Sequence, residues 1–228
     1  MRRMMKVITF PDFLENESEY ISSLFDAGLE ILHLRKPGAA KEEYERLLNA
    51  IPSTYHERIM LHDFFELTEK YNVRGVHLNR RNPEYRGTKK VKISKSCHSI
   101  QELEGIEGYD YVFLSPVFDS ISKEGYRAAF SHEELLRASE AGLINAKVIA
   151  LGGIDATTLP LLKPYKFGGI GVLGAIWDAV ASVSSVEEGS KRVVQRFLDL
   201  TQDYFKRTQM TQKTQIFATP QKINFIYV

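Results

Sequence analysis

Short runs rich in β-branched and aromatic residues recur along the whole chain. Lys6–Phe10, Glu30–Arg35, Arg58–His62, Gly75–Leu78, Val91–Ser94, Asp110–Ser115, Lys147–Leu151 and Gly169–Leu173 each predict a strand. Between most of them apolar positions recur at helical spacing, in Glu17–Ala27, Lys41–Ala50, Ser131–Ala141 and Ala156–Leu162, and Val186–Tyr204 predicts a long closing helix. Helices lying between successive strands make the sheet parallel. Eight such units within about 200 residues predict a closed (β/α)8 TIM barrel. The competing arrangement, an open doubly wound sheet, would place phosphate-binding glycines after the first strand, where this chain has Phe10-Pro-Asp12. The unit between His62 and Gly75 is short. Residues 1–206 are read as the barrel domain. Residues 207–228, Gln/Thr-rich up to Ile223-Asn-Phe-Ile-Tyr-Val228, are read as a C-terminal tail.

Composition narrows the picture modestly. With 228 residues, 43% hydrophobic and 26% charged, the chain has the profile of one ordinary globular domain. Thirty basic and 29 acidic residues leave a formal charge of +1. No net field therefore draws nucleic acid or an acidic membrane to the surface, and an anion must be caught locally. One cysteine, Cys97, rules out an internal disulfide and fits a reducing cytosol. The apolar stretch after the basic start ends at Pro11, too short for a signal peptide or a membrane span, so a cytoplasmic location is expected.

Two glycine-bearing segments stand out, Lys147-Val-Ile-Ala-Leu-Gly-Gly-Ile-Asp155 and Phe167-Gly-Gly-Ile-Gly-Val-Leu-Gly-Ala-Ile176. Each reads as a strand running into a turn whose backbone N–H groups can converge on an anion, as the loops after strands seven and eight do in many barrels. Taken singly, either is explained as well by tight turns and close packing.

At the carboxyl ends of the earlier strands, alternation places His33 and Arg35 on one side, and a buried arginine calls for an anionic partner. Asp63 after His62 suits either Mg²⁺ or the capping of a helix. His77 reads as a satisfied structural residue rather than a ligand. Cys97 and His98, adjacent on an extended chain, face opposite ways and do not make a nucleophile–base pair. Ser96 and Ser99 suit phosphate contact or helix capping. The loop from Ser115 to Gly125 carries hydroxyls at 120 and 122 and a cation at 123, a composition that suits closing over a charged substrate or plain solvation.

In register from about Val7 to Trp177, the chain resembles the thiamine phosphate synthase and thiazole tautomerase family. The resemblance rests on Leu34-Arg-Lys36, His62-Asp63, Gly75-Val-His-Leu78, Ser96-Cys-His-Ser99, Asp110-Tyr-Val-Phe-Leu-Ser-Pro-Val-Phe118 with Ser120-Ile-Ser-Lys123, and Ala150-Leu-Gly-Gly-Ile154. It implies a (β/α)8 barrel and two small-molecule substrates, hydroxymethylpyrimidine diphosphate and thiazole phosphate. Diphosphate leaves with Mg²⁺ assistance, and the thiazole nitrogen attacks the pyrimidine methylene cation. Carried over by position, Arg35 and Ser96 contact the diphosphate, Asp63 and Asn82 hold Mg²⁺, and Lys123 neutralises the leaving group. His33, Lys36, His62, Ser120, Ser122, Gly152, Gly153, Leu173 and Gly174 complete the substrate-binding set.

Three positions depart from the synthase pattern. Asn82 stands where a second metal-binding aspartate is expected, Pro37 where a basic residue is expected, and Gly174 where the last phosphate loop carries serine. Arg80 and Arg81 can restore positive charge. His33 resembles the metal-independent tautomerase branch, while Ser115 and Pro116 resemble the synthase. The synthase is the expected activity, with the tautomerase and a non-catalytic paralogue binding the same phosphates as alternatives. Trp177 and the apolar face of Val186–Tyr204 are expected to support a homodimer.

Overall fold

In a computed structural model describing residues 4–119, 128–180 and 183–217, eight parallel strands close in chain order into a barrel. They are β1 (Met4–Ile8), β2 (Ile31–Leu34), β3 (Ile59–Leu61), β4 (Gly75–Leu78), β5 (Lys92–Cys97), β6 (Tyr111–Leu114), β7 (Val148–Leu151) and β8 (Gly169–Val172). Lys6 pairs with Gly171 of β8 on one side and Ile31 of β2 on the other, which seals the ring. The expected fold is the observed one. The displaced boundary that matters is that of β5: it runs to Cys97, so Ser94 and Ser96 lie on the strand itself, in register with Tyr111 and Phe113.

The helices follow from local chemistry. Helix α1 (Glu17–Asp26) buries Tyr20, Ile21, Leu24 and Phe25 along one stripe and carries Glu17 and Glu19 in its first turn, where the helix dipole favours negative charge. Helices α2 (Lys41–Ala50) and α3 (Leu67–Lys70) follow β2 and β3, and the single turn of α3 matches the short unit read in the sequence. Ser131 caps α4 (His132–Glu140): its Oγ accepts from the Glu134 N–H at 3.2 Å, and the Glu134 carboxylate accepts the Ser131 N–H at 2.8 Å. The helix expected over Ala156–Leu162 is only a 3-10 turn, Leu159–Leu162, with Pro160 unable to donate within it. After β8 come α5 (Gly174–Trp177) and α6 (Val186–Phe217), which takes in the first part of the segment read as a tail.

One apolar layer lies between the barrel and its helices, and a second, smaller one fills the barrel with Ile8, Ile31, Met60, Tyr111, Phe113 and Ile149. Full burial of each such side chain contributes about 1.5–3 kcal/mol. Trp177 is 2% exposed, and its indole N–H donates to the Ile8 carbonyl at 2.7 Å. Val193, Phe197, Leu200 and Tyr204 of α6 are likewise buried within the chain. Among the described side chains of α6, Val186 is the large hydrophobic left exposed, at 36%. Among the described residues no helix is long and apolar enough to cross a membrane.

Candidate functional site

Beside its apolar side chains the barrel encloses Lys6, His33, His77 and Ser94, each 0% exposed, and His62 at 4%. Strand parity turns His33, His62 and His77 from three adjacent strands toward one another. His33 Nδ1 lies 2.9 Å from His62 Nε2, and His33 Nε2 lies 2.7 Å from the Tyr111 hydroxyl. His77 is held on both sides, its Nδ1 2.8 Å from Ser94 Oγ and its Nε2 2.8 Å from Ser96 Oγ. Burial is the main reason that all three imidazoles are held neutral. It takes His77 down to about 3, with Arg35 and His98 adding to the effect. Burial, then His77 and Lys6, holds His33 far below its usual range; burial, then the neighbouring imidazoles and Arg35 and Arg81, does the same to His62.

Nitrogens of the three rings fall within 4.8 Å of one another, a grouping with metal-binding potential. The rings of His62 and His77 are stacked, however, with centroids 4.2 Å apart and planes inclined by only 23°. Planes so nearly parallel do not meet within the roughly 2 Å of a metal–nitrogen bond, so one ion cannot take an in-plane lone pair from both. The cluster is a hydrogen-bonded network.

Asp63 stands just beyond β3, and its carboxylate is surrounded by donors. Tyr44 Oη donates to Oδ2 at 3.0 Å, Asn82 Nδ2 to Oδ1 at 2.8 Å, and Arg81 Nη2 to both oxygens at 3.0 and 3.1 Å. The Asp63 side chain is 16% exposed and that of Arg81 49%. Phe64, the next residue, has φ 53°, a left-handed conformation that a bulky side chain adopts at a cost of about 1–3 kcal/mol. Such strain clusters at sites where a side chain must be aimed. Asp63 does not cap the one-turn helix that follows, whose N-cap residue is Glu66. A cavity of about 700 Å³ opens beside it, lined among others by Asp63, Phe64, Asn82 and Arg86.

Of the other expected site residues, Arg35 is half-buried at the end of β2, near enough to His62 and His77 to depress both. Lys36 is a correction: it is 1% exposed, and its ammonium donates to the carbonyls of Phe10 and Asp12 and to the Glu17 carboxylate, at 2.6–2.9 Å. Those acceptors exhaust its three N–H groups, so Lys36 ties the loop after β1 to α1 and has none left for substrate.

Gly152 and Gly153 have φ 99° and 62°, and a Cβ at Gly153 would lie 2.3 Å from the Asp119 carbonyl oxygen. Close approach of the loop after β6 therefore requires these glycines independently of any phosphate. Leu173 and Gly174 form the turn from β8 into α5. Cys97 is buried and its thiol is pushed up to about 11 by that burial, as its exclusion from catalysis requires. Ser99 caps the turn at Glu102 rather than facing the mouth. Ser120, Ser122 and Lys123 lie outside the described residues. Ser94, Tyr111 and Tyr44 are additions, with strand parity and the register of β5 with β6 as the signals for the first two; His77 is the satisfied structural residue expected, and Arg81 spends its charge on Asp63.

A family model described as thiamine monophosphate synthase matches residues 6–176. The chain belongs to the thiamine monophosphate synthase family. Curated thiamine-phosphate synthases of Geobacillus kaustophilus and Salmonella paratyphi A are 26% identical over 174 residues and 28% over 171, covering 71% of this chain and 78% and 81% of theirs. The crystal structure of thiamine phosphate pyrophosphorylase from Bacteroides thetaiotaomicron is 37% identical, with a TM-score of 0.76, over 88% of this chain and 98% of that one. A second pyrophosphorylase structure, from Pyrococcus furiosus, is 21% identical with a TM-score of 0.67 and shares the fold.

Magnesium belongs to the chemistry of thiamine monophosphate synthases. Asp63 offers the carboxylate oxygens that would anchor Mg²⁺ when a substrate's phosphates supply further oxygens, and Arg81, which now holds both of those oxygens, would have to yield to the ion. Asn82 turns its NH₂, the end that does not coordinate cations, toward Asp63 and the His62 carbonyl. Its oxygen serves as a ligand only after the amide turns over.

Proposed function

We propose that this chain joins hydroxymethylpyrimidine diphosphate to thiazole phosphate, releasing diphosphate, as a cytoplasmic thiamine phosphate synthase. The family match over residues 6–176 carries this reading. It is supported by the placing of Arg35, of His62 and Asp63, and of Ser96 at the carboxyl ends of β2, β3 and β5. Magnesium anchored by Asp63 would draw electron density from the departing diphosphate.

Arg35 and Ser96 bind the diphosphate and orient it, and Lys123 offsets the charge that builds on it. As the carbon–oxygen bond breaks, its electron pair leaves with the diphosphate, and the thiazole nitrogen lone pair forms the new carbon–nitrogen bond to the methylene carbon. Neutral imidazoles suit that step, because protonated ones would repel the cation. Gly152, Gly153, Leu173 and Gly174 are assigned to the thiazole phosphate.

The tautomerase reading rests on His33. Both of its ring nitrogens are engaged inside the protein and the residue is 0% exposed, which disfavours a proton shuttle to a ligand. The test is formation of thiamine phosphate by the purified protein, first with Mg²⁺ and then with EDTA. Metal-dependent product is the expected result. No product in either condition rejects the synthase reading, and thiazole phosphate binding without turnover then identifies a binding-only paralogue.

A further inference from the structure

Just beyond β1 the Thr9 N–H donates to the His33 carbonyl at 3.0 Å, which carries the ladder with β2 one link further. From there the side chain takes over. Thr9 Oγ1 accepts the Arg35 N–H at 2.9 Å and donates to the Arg35 carbonyl at 2.9 Å, so a single hydroxyl holds both backbone polar groups of one residue. The chain on either side is fixed as well: the Leu34 carbonyl accepts the His62 N–H at 3.1 Å, and the Lys36 N–H donates to Tyr44 Oη at 3.0 Å. We propose that Thr9 is a positioning residue of the synthase, whose hydroxyl holds the backbone of Arg35 so that the guanidinium meets the substrate's diphosphate. The proposal rests on the assignment of Arg35 to that diphosphate.

A hydroxyl has one proton to give and lone pairs to receive with, and Thr9 spends the proton on the carbonyl and a lone pair on the N–H. A methyl of the same size does neither. Thr9 is 0% exposed, so without its hydroxyl both backbone groups of Arg35 lose a partner in a place that water does not freely reach. Branching at Cβ restricts the side chain's first torsion and so keeps the hydroxyl aimed. Pro37, two residues on, has no N–H to extend the ladder beyond this point. The hold on residue 35 is therefore the final one that β1 exerts on β2.

Backbone placement matters more for arginine than for a short side chain. A small rotation at residue 35 is magnified at the tip of so long a side chain, and a misplacement of about 1 Å at a reacting centre costs up to about a hundredfold in rate. β1 supplies none of the side chains assigned to substrate or metal. Through Thr9 it acts on the site at one remove, by fixing a group that does touch substrate.

The test compares four forms of the full chain, the parent, Thr9→Val, Arg35→Ala and the double variant, with inorganic diphosphate and Mg²⁺ as the probe and calorimetry as the readout. Thr9→Val keeps the size and branching of the side chain and removes the hydroxyl. It should weaken diphosphate binding about tenfold, the scale of the hydrogen bonds lost. In the Arg35→Ala background the same substitution should change nothing, because the group it positions is gone. Thr9→Ser keeps the hydroxyl and should bring binding back to within about threefold of the parent. In turnover, Thr9→Val should lower kcat/KM for the pyrimidine diphosphate while leaving the KM for thiazole phosphate near that of the parent. If Thr9→Val does not fold, Thr9→Ala makes the same comparison. Equal losses with and without Arg35 would show that the hydroxyl supports the barrel at large, and they overturn the proposal, as does unchanged binding in Thr9→Val. If the parent does not bind diphosphate, or Arg35→Ala binds it as tightly, Arg35 is not its ligand and the proposal falls; formation of thiamine phosphate by the parent decides the synthase reading separately.

Discussion

Arg81 grips Asp63 with one terminal nitrogen placed between both carboxylate oxygens, 3.0 Å from Oδ1 and 3.1 Å from Oδ2. The guanidinium therefore stands where a cation for this carboxylate belongs. Being half exposed, the pair is worth no more than about 1 kcal/mol, which corresponds to roughly a fivefold change in an equilibrium. Arg81→Ala should lower the Mg²⁺ concentration giving half-maximal product formation by up to about that factor. An unchanged or raised requirement would show that Arg81 and the metal do not compete.

Lys6 is buried with no hydrogen-bond partner for its ammonium, 4.4 Å above the Tyr111 ring. Burial, opposed by Glu30 and reinforced by Arg74, lowers it to about 8 from 10.5. Between those two values the unfolded chain binds more protons than the folded one, so stability should rise with pH across that window. Below it the charged form costs up to about 3 kcal/mol. Lys6→Met should be more stable than the parent in urea at pH 7, and the difference should shrink by pH 9.5. A gap of equal size at both pH values contradicts the assignment.

His33, His62 and His77 are held neutral well below the usual histidine range, to about 3 for His77. Unfolded, each takes up a proton near pH 6.5. Stability is therefore lost as pH falls from 6.5 toward the folded values, at about 4 kcal/mol per pH unit for the three together. Urea unfolding at pH 6.5 and 5.0 measures the slope, and His77→Gln should make it shallower by about a third. Identical slopes in the two proteins would mean that His77 is already charged in the fold.

The Lys36–Glu17 pair is buried at 2.6 Å. Removing the lysine alone strands a carboxylate that burial already pushes toward protonation. Lys36→Ala should cost about 3–5 kcal/mol in chemical denaturation, and Lys36→Met combined with Glu17→Gln should recover most of it. The KM of the folded variants should stay near that of the parent. A raised KM without lost stability would return Lys36 to the substrate site.

The fold was legible because eight apolar runs carry their own punctuation: Pro11, Gly38 and Gly152 follow strands as plainly as the runs define them. Asp63 and Ser96 were legible through motif resemblance. His77 was legible as a satisfied structural residue, but its neighbours were not, because only when adjacent strands are in register do His33, His62 and His77 come together. Lys36 misled for a similar reason. The family resemblance carried it to the substrate site, but alternation sends it to the side opposite Arg35, where Glu17 of α1 waits. Arg81 was read as a source of charge, and its partner emerged only when the loop after β4 folded back over Asp63.

Trp177, the only tryptophan of the chain, bonds to Ile8 across the seam where the last strand meets the first. That seam joins the two most distant parts of the barrel sequence, so it cannot form until the ends have found each other. The indole should therefore serve as a built-in optical reporter of ring closure, separating it in refolding experiments from the earlier pairing of neighbouring strands without any added label.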